Sequence, residues 1–224
     1  MSMNEATPVP TNTGAGDKKK RVHKSPETRK AEILAVATQV FAERGYQVAD
    51  TQTIADMAGV GKGTLYRYFP TKETLFKNAL SSQLDKLQKR MTKARESSAN
   101  PLCALRNAMG EYFLFFDQNP EIIELFVQER AEFGVENTPL YFQRMRARDP
   151  EWVALFEAIR DQCPVRDMPI DAMMARGSEV MHGASYLNCA PHRSRSAYEQ
   201  LDEIFEFYLH GILQVENPLR LLVS

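Results

Sequence analysis

The 224-residue sequence is short of several things, and each shortage closes off a class of protein. It has three cysteines, Cys103, Cys163 and Cys189, scattered and without a CxxC pair. An odd, unpaired set argues against a disulfide framework and against a zinc cage, and makes a reducing cytoplasm the expected location. Apolar runs such as residues 112–116 (Tyr-Phe-Leu-Phe-Phe) fall far short of the ~18 residues of a membrane helix, so no membrane partner is expected. The N-terminus lacks the apolar stretch of a signal peptide. The four histidines are dispersed, and neither GxSxG, HExxH nor a glycine-rich phosphate loop occurs. Cys189 and His192 stand at a metal-like spacing but have no second pair. No catalytic residue, metal or cofactor is therefore assigned, and an enzyme is not expected.

Net basicity is missing too, since the formal charge is −1. The balance is uneven, however. Residues 17–77 carry twelve Lys/Arg against seven Asp/Glu, a local charge of +5, which leaves −6 on the rest. An N-terminal segment with an anionic partner and a C-terminal body without one is the natural reading.

Sustained period-two alternation is the last absence, and with it goes any half-buried strand. What remains is an all-α pattern of about nine or ten helices. Residues 1–24, polar and closed by Lys18-Lys-Lys-Arg21 and Lys24, read as a disordered basic tail that is either solvated or laid along DNA phosphates. Ser25-Pro26-Glu27 is a strong helix start, and Gly45 is positioned to stop that helix. Asp50 caps a short second helix with Ile54, Ala55 and Ala58. Ala58-Gly59-Val60-Gly61 turns the chain into a third, from Lys62 to about Phe69. Thr71-Lys72-Glu73 opens a fourth, running to about Glu96. Further breaks fall near residues 119–120, 137–139, 149–150, 163–169 and 188–195.

A longer helix followed by two short ones around a glycine turn describes a helix-turn-helix. The third helix presents Lys62, Gly63, Thr64, Tyr66, Arg67 and Tyr68 within two turns. A glycine inside a helix costs about 1 kcal/mol relative to alanine, which makes sense where backbone must approach a DNA groove closely.

The stretch from Ile33 to Phe76, above all Thr53-Ile-Ala-Asp-Met-Ala-Gly-Val-Gly-Lys-Gly-Thr-Leu-Tyr-Arg-Tyr-Phe-Pro-Thr-Lys-Glu-Thr-Leu-Phe76, closely resembles the DNA-binding domain of TetR-family transcriptional regulators. The resemblance implies a helix-turn-helix DNA-binding domain over residues 25–72 and a helical effector-binding and dimerisation domain over 73–224. It implies a sequence-specific DNA-binding regulator, a repressor released from a palindromic operator on double-stranded DNA by a small apolar inducer. A regulator without a small-molecule effector, answering to a protein partner or constitutive, is the rival reading. Lys62, Gly63 and Thr64 fall where the family reads base edges, and Arg67 at a variable position suited to specificity. Tyr66 and Tyr68 fall where phosphates are gripped, with packing on the fourth helix as the other role for one of them. Lys72 sits where ammonium and free N–H groups share a phosphate. The family's usual serine at the head of the recognition helix is Gly61 here, and Asp50 replaces a Ser or Thr. Thr51 and Thr53 are accordingly the candidates for the missing phosphate contact.

Two further sets follow. Leu201, Ile204, Phe205, Tyr208, Leu209 and Ile212 form a broad apolar stripe, expected to pair with its symmetry mate in a homodimer beside Gly177, Gly183, Ala184 and Ser185. Phe113, Phe116, Phe133, Tyr141, Trp152 and Met181 are the expected inducer-pocket lining. His182 is expected to be a core histidine.

Overall fold

A computed structural model describes residues 25–134, 138–146, 149–188 and 194–222. The tail 1–24 and the Cys189–His192 pair lie outside the described residues. Among those described, ten α-helices and two short 3-10 turns follow one another, and no strand occurs.

Helix starts obey one syntax. Ser25, Asn100 and Asp149 each cap a helix whose first residue is proline: α1 (Pro26–Val48), α5 (Pro101–Gln118) and α8 (Pro150–Gln162). Each capping side chain accepts a backbone N–H that the first turn cannot satisfy, and proline wastes no donor there. Asp50 caps α2 (Thr51–Met57) and Thr71 caps α4 (Lys72–Arg95) in the same way. Gly45 leaves the helical conformation at φ 78°, ψ 157°, as its sequence position suggested, but the chain winds one further turn to Val48.

The turn after α2 closes by two bonds, from Gly59 N–H to the Asp56 carbonyl and from Val60 N–H to the Ala55 carbonyl. That pattern needs a left-handed residue, and Gly59 supplies it at φ 65°. It delivers the chain into α3 (Lys62–Tyr68).

The rest of the fold wraps α4 and α5. Around them lie α6 (Glu121–Phe133), α7 (Leu140–Arg146), α9 (Ile170–Asn188) and α10 (Leu201–Ile212), with α8. The buried core is continuous from Ile33 in α1 to Leu213 after α10. Helix α4 belongs to both ends of it: Leu75, Phe76 and Leu80 pack near α1, while Leu84 and Leu87 reach the C-terminal body. Buried Gln83 donates to Thr38, whose own hydroxyl meets the Leu34 carbonyl, so a polar stitch joins α4 to α1.

Candidate nucleic-acid interface and effector cavity

Helix α3 is held by two side chains. Leu65 and Phe69 are fully buried, which turns the remaining face of this seven-residue helix outward. Lys62, Gly63 and Arg67 are exposed; Thr64, Tyr66 and Tyr68 are half-buried. A Cβ built on Gly63 meets nothing within 4 Å, so space inside the protein does not demand glycine there. Gly61 supplies no capping side chain, leaving the N-terminal donors of α3 without one. The Arg67 guanidinium lies 5.7 Å from the centre of the Tyr68 ring.

Two expected phosphate contacts, Thr51 and Lys72, look different in place. The Thr51 side chain is buried and its hydroxyl pairs with that of Tyr66 at 3.0 Å. Thr51 therefore positions Tyr66 and does not face outward, which corrects its assignment. Thr53, half-buried, remains at the surface of α2. Lys72 is engaged inside the protein: its ammonium donates to the Gln47 carbonyl at 3.0 Å and lies 5.0 Å from the Tyr46 ring centre.

Behind Lys72, the end of α1 meets α6. Phe41, Tyr46, Phe76 and Phe133 form an edge-to-face cluster, and Gln47 donates to Glu132. Phe133, expected in the ligand pocket, belongs to this junction, where Lys77 also lies 4.8 Å from its ring centre.

A cavity of about 590 Å³ opens between α4, α5, α7, α8, α9 and α10. Tyr141, Trp152 and Met181 line it, as does Tyr112. Phe113 and Phe116 do not line it: they are packed into the core, Phe113 on the neighbouring face of α5 and Phe116 one turn beyond Tyr112, no more than 3% exposed. The wall from α5 is instead Leu105, Ala108, Met109 and Tyr112, and that from α4 is Leu84, Leu87, Gln88 and Met91. Both sets recur at three, four and seven residues, the spacing of one helical face. Two of the three buried phenols of the wall are hydrogen-bonded within the protein, while the Tyr112 hydroxyl has no hydrogen-bond partner. Tyr141 and Ser178 share a hydrogen bond of 3.1 Å, and the Tyr208 hydroxyl donates to the Met173 carbonyl at 2.7 Å. Burial holds the phenols of Tyr112, Tyr141 and Tyr208 above their ordinary range, so all three are neutral donors at physiological pH. His182 stacks on Tyr141 with ring centres 4.7 Å apart, and burial lowers its pKa, keeping it neutral.

The expected dimer stripe is also redistributed. Leu201, Phe205, Tyr208, Leu209 and Ile212 are buried within the protomer, and Ile204 is half-buried. Tyr208 packs so closely that a Cβ on Gly177 would come within 3.2 Å of its ring. What α10 exposes is Phe207, at 72%, with Gly211 one turn away and open space around it. On α9 the exposed apolar side chains are Tyr186 and Leu187, near the equally open Gly183. No described helix is long and apolar enough to cross a membrane.

Residues 33–79 match the model for bacterial regulatory proteins of the tetR family. Over that segment the chain is a TetR-family DNA-binding domain. The chain is 29% identical over 134 residues to the HTH-type transcriptional repressor KstR2 of Mycobacterium tuberculosis, an alignment covering 59% of this chain and 67% of that protein. The structure of ketosteroid transcriptional regulator KstR2 from the same organism superimposes with a TM-score of 0.61 at 24% identity, over 87% of this chain and 100% of that one. The regulator FadR of Bacillus subtilis, solved in complex with stearoyl-CoA, gives a TM-score of 0.67 at 17% identity over 81% of this chain and 98% of that one. At those identities the structural likenesses establish the fold alone. The family match covers α3 and its supports, and it makes the regulator a DNA-binding protein.

Proposed function

We propose that the regulator is a repressor that grips a palindromic operator as a homodimer and lets go when a small apolar ligand fills the cavity. Lys62, Gly63, Thr64 and Arg67 would meet base edges; Thr53, Tyr66 and Tyr68 would meet phosphates, joined by Lys72 once its ammonium leaves the Gln47 carbonyl. Sequence information resides in the first set, while the second fixes register and orientation. One seven-residue recognition helix gives weak, salt-sensitive binding, and two on successive major grooves, about 34 Å apart, give useful affinity.

The second protomer would dock on the outer face of α9 and α10. Ile204, Phe207 and Gly211 recur at three and four residues, as do Gly183, Tyr186 and Leu187. Each set places exposed aromatic or aliphatic groups beside a glycine with open space, the arrangement a close helix contact needs.

The observation that carries the effector reading is the cavity. Its 590 Å³ falls within the range of about 300–1,000 Å³ usual for small-molecule sites. Its wall is mostly aliphatic and aromatic, and the phenols of Tyr141 and Tyr208 are committed to internal bonds, which suits an apolar guest. Helix α4 gives that guest a route to DNA, because Lys72 at its start faces α1 while Leu84, Leu87 and Met91 line the void. By linkage, a ligand preferring misplaced recognition helices must weaken DNA binding, and DNA must weaken the ligand equally. KstR2 is a ketosteroid regulator and FadR was solved with stearoyl-CoA; a steroid skeleton and an acyl chain both favour an effector with a large apolar part here.

The test uses a labelled duplex recovered from a random pool and a panel of apolar compounds scored by fluorescence anisotropy. At least one compound should release the duplex from the parent protein and not from Ala175→Trp, whose indole would occupy the void that Ala175 lines. Release that persists unchanged in Ala175→Trp, or no release by any cavity-binding compound, would contradict the effector reading and favour a regulator without one.

A further inference from the structure

Helix α7 is a strap of seven residues across the cavity. A helix so short has little stability of its own, so its position is set by what fastens it. Three of its side chains, Tyr141, Phe142 and Arg144, line the void. Three fastenings are visible. On α6, Glu129 accepts the Leu140 N–H at 3.1 Å. On α9, Ser178 shares its hydrogen bond with Tyr141. On α4, Arg144 makes three contacts at once: Asp85 Oδ1 at 2.7 Å, Ser81 Oγ at 2.7 Å and the Ser81 carbonyl at 3.1 Å.

The last fastening differs in kind from the others. A guanidinium is a planar fork whose donors cannot move independently, so a three-point grip transmits a displacement with little slack. Its anchor points lie about 14 and 20 Å along α4 from Lys72, at 1.5 Å per residue. Ser81 precedes Leu84, the first cavity-lining residue of α4, and Asp85 follows it by one, so the grip lies on the α1 side of most of the lining. The other polar ties from cavity-lining helices, Arg90 with Glu111 and Gln118 of α5 and Arg95 with Glu151 of α8, attach towards the opposite end of α4. A guest pressing on Tyr141 and Phe142 would displace Arg144, and Arg144 holds α4 at mid-helix, on the DNA side of its ties to α5 and α8.

We propose that the Arg144 grip on Ser81 and Asp85 relays cavity occupancy to the recognition helices, with Ser81 and Asp85 as positioning residues that touch neither guest nor DNA. This rests on the effector reading above. The proposal differs from simple packing in a specific way. It makes coupling between the two sites separable from affinity at either of them.

The experiment is a thermodynamic cycle on the full chain with Nile red as a neutral apolar probe of the cavity and a duplex recovered from a random pool. Nile red affinity is measured without duplex and at saturating duplex, for the parent, Ser81→Ala/Asp85→Ala and Asp85→Glu. In the parent, duplex should weaken Nile red on the order of tenfold, within the usual span of coupling. In Ser81→Ala/Asp85→Ala each ligand alone should bind as it does to the parent, while the ratio collapses towards one. Asp85→Glu, which keeps the carboxylate, should restore the ratio. A double variant that retains the parent's ratio would overturn the relay while leaving the effector reading intact. A double variant that loses either ligand outright would also overturn it, since the grip would then be holding the fold. A parent ratio of one with Nile red bound would sink the effector reading and the relay together.

Discussion

Truncating Phe207 is the sharpest probe of how two recognition helices come to act as one. In the protomer its side chain is 72% exposed, the most exposed large aromatic described. Phenylalanine presents about 200 Å² when free, so docking would bury about 140 Å² per protomer. At ~25 cal/mol per Å² that is about 3.5 kcal/mol, and an isologous interface uses the residue twice, giving ~7 kcal/mol per dimer as an upper figure. Phe207→Ala should then raise the dimer dissociation constant by up to ~10⁵, and by ~10² or more if only half the area is removed from water. The folded protomer should be indifferent, because the side chain touches little within it. Sedimentation velocity across a concentration series reads the dimer directly, and thermal unfolding at a concentration where the variant is monomeric reads the protomer. Operator affinity should fall in parallel, because the second half-site is then reached only by mass action. A variant that still sediments as a dimer at nanomolar concentration, with unaltered operator affinity, would refute the assignment of this face.

Three other perturbations separate the remaining roles. Gly61→Ser restores a hydroxyl cap at φ −73° with open space around the new Cβ; it should stabilise by about 0.5–1 kcal/mol and raise Tm by ~1–4 °C, and an unchanged or lower Tm in calorimetry would contradict the missing-cap reading. Tyr66→Phe removes the partner of buried Thr51, costs about 1 kcal/mol of stability and weakens every duplex alike, whereas Arg67→Ala should change the preferred sequence; competition binding with single-base variants distinguishes them, and swapped outcomes would reverse the roles. Burial raises the carboxyl pKa of Glu129 above its ordinary range, against the lowering effects of the Leu140 N–H and Lys77. A folded value above the unfolded one means this group's favourable contribution is complete at low pH and is lost as pH rises through the folded value, so ionised Glu129 opposes folding at neutrality. Glu129→Gln keeps an acceptor for Leu140 and should raise Tm most at neutral pH, the gain fading as pH falls through the carboxylate range. A gain that grows in acid would have the wrong sign.

Local signals were the legible ones. The Ser-Pro, Asn-Pro and Asp-Pro starts, the glycine turn at residue 59 and the succession of breaks all act over a few residues, and the helices begin and end near where those residues put them. The helix-turn-helix was readable because α3 is too short to bury a full stripe: Leu65 and Phe69 hold it, and everything else on it must have another purpose. Facing was harder. Helix α5 is apolar on almost every side, so periodicity gave no reason to prefer one face: Phe113 lies one residue, about 100° round, from Tyr112 of the cavity wall, and Phe116 lies one turn beyond it on the wall's own face. In α10 the broad stripe is the inward one, and the outward signal was the single large apolar residue off that stripe, Phe207. Thr51 was misread because a hydroxyl at a helix start looks the same in sequence whether it faces solvent or, as here, a tyrosine fifteen residues on. The grip of Arg144 on α4, spanning 59 residues of sequence, had no local signature at all.

The central claim is that two copies of α3 enter successive major grooves of one duplex. Selection of bound duplex from a random pool, with the protein-to-DNA stoichiometry of the product measured by mass photometry, tests it directly. The account predicts an inverted repeat with half-site centres about one helical turn apart, ~10 base pairs, carrying protomers in pairs. Enrichment of a lone, unrepeated half-site by a single protomer, or no enrichment at low salt, would contradict it.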